Sequence, residues 1–202
     1  MPNTNIRKIA FAGAIGALYA TLTLVLHPIS YGPLQFRIAE ALTVLPFFFP
    51  STVWGLFVGC IIANLGSPYG IIDIIAGPMA SLLAGFCTMK LGMIARADGR
   101  NESALRSRSA PDDAGTAEDL PAFRNALPLK ILACAPPVVF NAVVIGAMIA
   151  WFQTSGGPAF WPAFVTFGLQ VGLGQLAVLY VLGLPLMLVL PRLPLYKTLS
   201  GL

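Results

Sequence analysis

Three charged side chains stand in otherwise apolar stretches of this 202-residue chain: Arg37, Glu40 and Asp73. An ion in hydrocarbon is costly, so such residues are the first place to look for binding or transport chemistry. Arg37 and Glu40 are three apart, which puts them on one helical face and lets them pair. The pair reads either as an interfacial salt bridge that fixes a loop or as a ligand-binding carboxylate oriented by a guanidinium. Residue types alone do not choose between the two. Asp73 follows the turn-forming run Gly66-Ser67-Pro68-Tyr69-Gly70 and opens the next apolar stretch, so an N-cap or first-turn role is the simpler account. Asn64, Asn141, Gln170 and Gln175 are amides inside apolar runs. Each needs a partner there, from a neighbouring helix or from a ligand in a polar cavity. Gln170 and Gln175 lie on or beside the Gly-rich stretch 168–174, where backbone can approach a ligand. The cavity reading is preferred for Asn141 and Gln175.

Other chemistry is excluded. There is no GxxxxGK[ST] loop for ATP and no HExxH metal motif. A single His, His27, argues against a histidine-based metal site or a Ser-His triad. Cys60, Cys87 and Cys134 each lie in an apolar run without CxxC spacing and read as packing residues, so neither a metal nor a cofactor is expected. Only 10% of residues are charged, 57% are hydrophobic and the mean hydropathy is +0.81. An ordinary soluble domain carries about 25% charge. The formal charge of +4 sits beside or between long apolar runs, which is a pattern of membrane topology and not of nucleic-acid binding.

The elements that must position these residues are transmembrane helices, each needing about 20 mostly apolar residues. The expected architecture is an all-α membrane protein, a single integral membrane domain with six spans near 9–26, 38–49, 52–65, 71–95, 127–152 and 160–190. The first run is too long, and followed by too many others, to be a cleavable signal. The second and third spans form a tight hairpin turning at Pro46, Pro50 and Ser51. Residues 96–126, rich in Ser, Ala, Asp and Arg, read as a flexible loop. The sixth span is long enough for a tilt or break at Pro185. With both termini in the cytoplasm, the inner face receives Arg7, Lys8, Lys90, Arg96, Arg100, Arg106, Arg108, Arg124, Lys130, Arg192 and Lys197. Only Arg37 falls outside, as the positive-inside rule requires. Arg37, Glu40 and Asp73 then lie at the outer ends of spans.

The first span also carries small residues at helical spacing: Ala10 and Ala14, Gly13 and Ala17, Gly16 and Ala20. Such stripes admit close approach by another helix, from this chain or from a partner.

Residues 28–46 (PISYGPLQFRIAEALTVLP) resemble the signature of the QueT family. Further matches are Gly59-Cys60 through Asn64-Leu65, Ser67 through Ile74, Asn141-Ala142, and Tyr180 through Leu186. The similarity covers nearly every span, and only the loop 97–125 lies outside it. The resemblance implies a substrate-binding (S) component of an energy-coupling factor (ECF) transporter, a type of ABC importer, in the bacterial cytoplasmic membrane. Such a protein captures a queuosine precursor from outside and delivers it inward with an EcfT-like transmembrane coupling protein and two ATPase subunits. It implies docking to the coupling protein through Ala10, Gly13, Ala14 and Ala17, and closure of the first outer loop, 27–37, over the pocket. A 7-deazaguanine presents N1–H and an exocyclic amine on one edge, which a carboxylate accepts together. Glu40 is assigned that role, with Gln35, Asn141 or Gln175 donating to O6. Phe36, Tyr31, Trp151 and Trp161 are candidates for stacking, and Asp73 for attracting a cationic 7-aminomethyl group. An S component for another nutrient or vitamin, a stand-alone secondary transporter of the same base, and a membrane assembly protein without a ligand remain as alternatives.

Overall fold

A computed structural model describes residues 4–30, 36–109 and 126–194, with 196 and 199. Among these residues all regular structure is helical. Helix α1 (Thr4–Val25) is followed by one turn, α2 (His27–Ser30), and then by a 3-10 helix, Ile38–Phe47. Next come α3 (Thr52–Asn64), α4 (Ile71–Ser109), α5 (Leu127–Ala133), α6 (Ala135–Thr154) and α7 (Phe160–Val178). A π turn, Leu179–Gly183, leads into α8 (Leu184–Val189) and a final 3-10 turn, Leu190–Arg192. Among the described residues, four stretches are long and apolar enough to cross a membrane: Asn5–Val25, Ile71–Asn101, Leu127–Thr154 and Phe160–Arg192. Ile38–Phe47 and Thr52–Asn64 are apolar but shorter.

Most helix boundaries fall near the edges of the apolar runs, and the differences have local causes. The 3-10 helix is followed by a turn through Pro50 and Ser51, the hairpin expected there. Pro46 is accommodated inside the 3-10 helix instead. The apolar stretch Leu127–Thr154 breaks at Cys134, because Pro136 and Pro137 bring no N–H to bond the carbonyls of the preceding turn. The stretch Phe160–Arg192 widens into its π turn immediately before Pro185, again where an N–H is missing. The largest correction concerns 96–126, expected as a flexible loop: α4 runs on through Ser109. That extension contains Ala97, Glu102, Ala104, Leu105 and Arg106, good helix formers that prolong an existing helix without a new nucleus. The rest of that segment, 110–125, lies outside the described residues.

Glycines set the closest helix contacts. A Cβ on Gly55 would collide with the Ala12 carbonyl, and one on Gly16 with the Gly55 carbonyl. The backbones of α1 and α3 therefore touch. Gly146 meets Gly168 in the same way, with 2.6 Å between a Cβ placed on Gly146 and the Gly168 Cα, so α6 and α7 also pack backbone to backbone. The 3-10 helix lies between these pairs, with Ala39 beside Tyr19, Leu56 and Cys60 and with Val44 against Leu179 and Met187. Its C-terminal end is held by Arg96, which donates to the carbonyls of Phe47 (3.2 Å) and Phe48 (2.5 Å).

Candidate functional site

Chain direction alternates through the first four long elements. The C-terminal ends of α1 and α3 therefore meet the N-terminal ends of the 3-10 helix and α4, and the charged residues collect at this end. Glu40, in the first turn of the 3-10 helix, is 1% exposed. Its Oε1 accepts a 2.6 Å hydrogen bond from the Tyr19 hydroxyl of α1. Its Oε2 is buried and has no hydrogen-bond partner. Arg37 immediately precedes the 3-10 helix. Its Nε donates to the Ser30 carbonyl at 3.4 Å, and its Nη2 lies 3.6 Å from Asp73 Oδ2.

Asp73 is thus more than the helix cap expected of it. Fully buried in the first turn of α4, it accepts a 2.5 Å bond from the Ser67 hydroxyl as well as facing Arg37. Its Oδ1 is buried without a partner. Asn64 closes the α3–α4 junction by donating from Nδ2 to the Asp73 carbonyl at 3.0 Å, the helix-joining role open to a buried amide. Gly77 makes this possible, since a Cβ there would collide with Asn64 Nδ2. In the turn beside them, burial and the neighbouring Asp73 push the Tyr69 hydroxyl above its ordinary range, and Arg37 offsets part of the rise.

The other amides come from the α6–α7 pair. Asn141 is buried on α6 with its amide toward Glu40, close enough to interact with the carboxylate but without a hydrogen bond of full geometry from Nδ2. Gln175, 2% exposed, shares a buried face of α7 with Val171 and Val178, and its Oε1 is unpartnered. Gln170 is only half-buried, although its Oε1 is enclosed and also lacks a partner. Buried polar atoms are nearly always satisfied, so each of these orphans calls for a partner that the described residues do not supply. Four of these orphans are acceptors as drawn, namely Glu40 Oε2, Asp73 Oδ1 and the two glutamine oxygens.

Phe36 is half-buried next to Arg37, while Tyr31 and Gln35 lie outside the described residues. Trp151 and Trp161, considered as stacking partners, are 56% and 70% exposed and flank Phe160 at the α6–α7 turn. That placement suits an aromatic belt at a membrane surface. On α1, Ala10, Gly13, Ala14 and Ala17 are exposed, whereas Gly16 and Ala20 are buried in the bundle. The broad small-residue stripe thus has an inner edge against α3 and an outer edge that is open. An apolar groove of about 460 Å³ lies there, lined by Gly13, Ala17, Trp54 and Val58.

Sequence reasoning found both carboxylates and the guanidinium but missed Tyr19, Ser30, Ser67 and Cys60. Tyr19 did leave a signal, because a tyrosine in the middle of an apolar run must find a partner for its hydroxyl when buried.

Several apolar helices enclosing buried ionic and amide groups make this a multi-pass membrane protein with a polar site at one end of its bundle. The chain belongs to the QueT transporter family, whose family model, described as QueT transporter, matches residues 9–192. It is similar to a curated protein of Lactococcus lactis subsp. cremoris (strain MG1363) named "Queuosine precursor transporter QueT", at 38% identity over 71 residues. That match spans 34% of this chain and about two fifths (41%) of the relative's length. No solved structure matches.

Proposed function

We propose that this chain is the substrate-capturing S component of an ECF-type importer for a queuosine precursor, a 7-deazaguanine base such as 7-cyano-7-deazaguanine, 7-aminomethyl-7-deazaguanine or queuine. The observation that carries the reading is Glu40, a buried carboxylate with one oxygen held by Tyr19 and the other without a partner. A carboxylate has about four acceptor positions, so Glu40 retains capacity for the N1–H and exocyclic amine of a guanine-like edge. Asn141 and Gln175 are the amides that serve O6. Arg37 keeps Glu40 and Asp73 in register, and Asp73 Oδ1 faces a substituent that donates hydrogen bonds. Gln170 and Phe36 are assigned to the same ligand as further candidates, as are Tyr31 and Gln35, which lie outside the described residues.

In this reading the chain crosses the bacterial cytoplasmic membrane six times with both termini inside, so the charged site faces outward. The two short helices, 38–47 and 52–64, are the second and third spans. Transport energy comes from two partner ATPase subunits through an EcfT-like coupling protein, and the chain itself is not an enzyme. The open edge of α1, made by Ala10, Gly13, Ala14 and Ala17, is the docking face for that coupling protein, and Gly13 and Ala17 of it line the apolar groove.

The test is calorimetry of the three bases against the purified chain in detergent. Nanomolar to low-micromolar binding without added ATPase supports a solitary capture component. Absence of heat with all three cancels the queuosine assignment and directs the search to vitamins. Glu40→Gln is expected to weaken binding more than tenfold, and unchanged affinity removes Glu40 from the site.

A further inference from the structure

We infer that Tyr19 and Cys60 form a positioning relay that fixes the Glu40 carboxylate, built from groups on four different helices. The inference rests on the reading of Glu40 as the ligand's carboxylate. Cys60 Sγ is fully buried and has three polar neighbours: Asn64 Nδ2 at 3.7 Å, Ser81 Oγ at 3.6 Å and the Tyr19 hydroxyl at 3.8 Å.

Proton counting orders these contacts. A phenol has one proton, and the 2.6 Å bond to Glu40 Oε1 takes it. The contact between Tyr19 and Cys60 therefore runs the other way, with the thiol S–H donating to the phenol oxygen. That leaves the sulfur lone pairs to accept from Asn64 and Ser81. Each group passes a hydrogen bond in the same direction, from α4 and α3, through Cys60 of α3 and Tyr19 of α1, to Glu40. Terminal carboxylate torsions are soft, so a donor locked on Oε1 is what keeps Oε2 aimed in one direction. Because α1 also carries the exposed small-residue edge, the helix that holds Glu40 is the helix that presents the docking face.

The experiment is a double-mutant cycle by calorimetry with the base that binds tightest, using Tyr19→Phe and Cys60→Ala, each alone and combined with Glu40→Gln. Tyr19→Phe keeps the buried ring and removes only the hydroxyl. Its expected effect is about a tenfold loss of affinity, with a two- to fivefold loss for Cys60→Ala. Both losses vanish in the Glu40→Gln background if they act through the carboxylate. Unchanged affinity in Tyr19→Phe overturns the relay, and so does an equal loss with or without Glu40. A second arm needs no ligand: the Glu40 antisymmetric carboxylate stretch, assigned by infrared difference against Glu40→Gln. It is expected to shift in Tyr19→Phe and also in Cys60→Ala, whose side chain does not touch Glu40. An unmoved band in both variants overturns the relay even if none of the three bases binds, a result that would separately cancel the proposed function.

Discussion

Asp73→Ala removes the acidic partner of a guanidinium that is only 3% exposed. At 3.6 Å and an effective dielectric near 20, the attraction between Arg37 and Asp73 is roughly 4–5 kcal/mol. The lost bond from Ser67 adds about 1 kcal/mol. Asp73 is fully buried, and releasing it from its own desolvation returns part of this sum. The expected net loss is therefore about 3–5 kcal/mol, the usual cost of leaving one member of a buried pair behind. For a chain of this length each kcal/mol moves the melting temperature by about 2–4 °C, which gives a fall of roughly 6–20 °C. The assay is thermal unfolding in detergent, followed by a thiol-reactive dye that reaches the buried Cys60 and Cys134 only on opening. Asp73→Asn, which keeps the acceptor for Ser67, is expected to lose about half as much. Replacing both partners by apolar residues, Arg37→Met with Asp73→Leu, is expected to recover most of the loss. An Asp73→Ala protein melting within about 2 °C of wild type refutes the claim that this pair ties the 3-10 helix to α4.

The glycines offer a paired test. Gly55→Ala forces a Cβ into the Ala12 carbonyl and is expected to cost about 1–3 kcal/mol or more, whereas Gly13→Ala meets nothing within 4 Å and is expected to leave the melting temperature equal or slightly higher. Equal melting of the two variants would mean that α1 and α3 do not pack backbone to backbone. Arg96→Ala strips donors from the Phe47 and Phe48 carbonyls and is expected to cost about 1.5–3 kcal/mol in denaturant unfolding. Gly77→Ala displaces the Asn64 amide from the Asp73 carbonyl. Its expected signature is lower stability, with faster hydrogen exchange confined to the α3–α4 junction.

Which parts were legible follows from what each signal measures. Hydropathy reports solvation, so the apolar runs and the three anomalous ions, Arg37, Glu40 and Asp73, were visible at once. The turn at 66–70 was visible too, because Gly and Pro constrain backbone directly. Winding was not visible. Over the ten residues of Ile38–Phe47 the polar side chains are Glu40 and Thr43, and a spacing of three shares a face at three residues per turn and at 3.6 alike. The helical continuation of α4 past Arg96 is hidden because polar composition is shared by loops and by exposed helix, and a helix that is already nucleated needs only good formers. Asp73 was assigned a local role because its partners, Arg37 and Ser67, are brought to it by tertiary folding. Cys60 was read as packing for the same reason, since nothing in its neighbours in sequence predicts that Ser81 and Tyr19 converge on its sulfur.

The tight winding of Ile38–Phe47 explains how one short helix serves three neighbours. At three residues per turn, side chains at i and i+3 eclipse and form three straight ridges. Glu40, Thr43 and Pro46 share one, and the Thr43 hydroxyl bonds back to the Glu40 carbonyl at 2.6 Å. Ala41, Val44 and Phe47 share the second, where Gly183 of the π turn comes so close that a Cβ would lie 3.1 Å from Val44 Cγ1. Ala39 and Leu42 lie on the third, against Tyr19, Leu56 and Cys60. From Pro46 to Glu40 is six residues. Rewinding them as α-helix would turn Glu40 by about 120° and shorten the segment by about 3 Å relative to its C-terminal end. That end is fixed by Arg96 and by Gly92, where a Cβ would collide with the Phe47 carbonyl. The other end is fixed by the Tyr19–Glu40 bond and by the Arg37–Asp73 pair. A 3-10 run of this length is uncommon because its hydrogen bonds are poorer than those of an α-helix. It persists here because both ends are held by residues of other helices, and the direction in which Glu40 points is set by the same contacts that keep the helix wound.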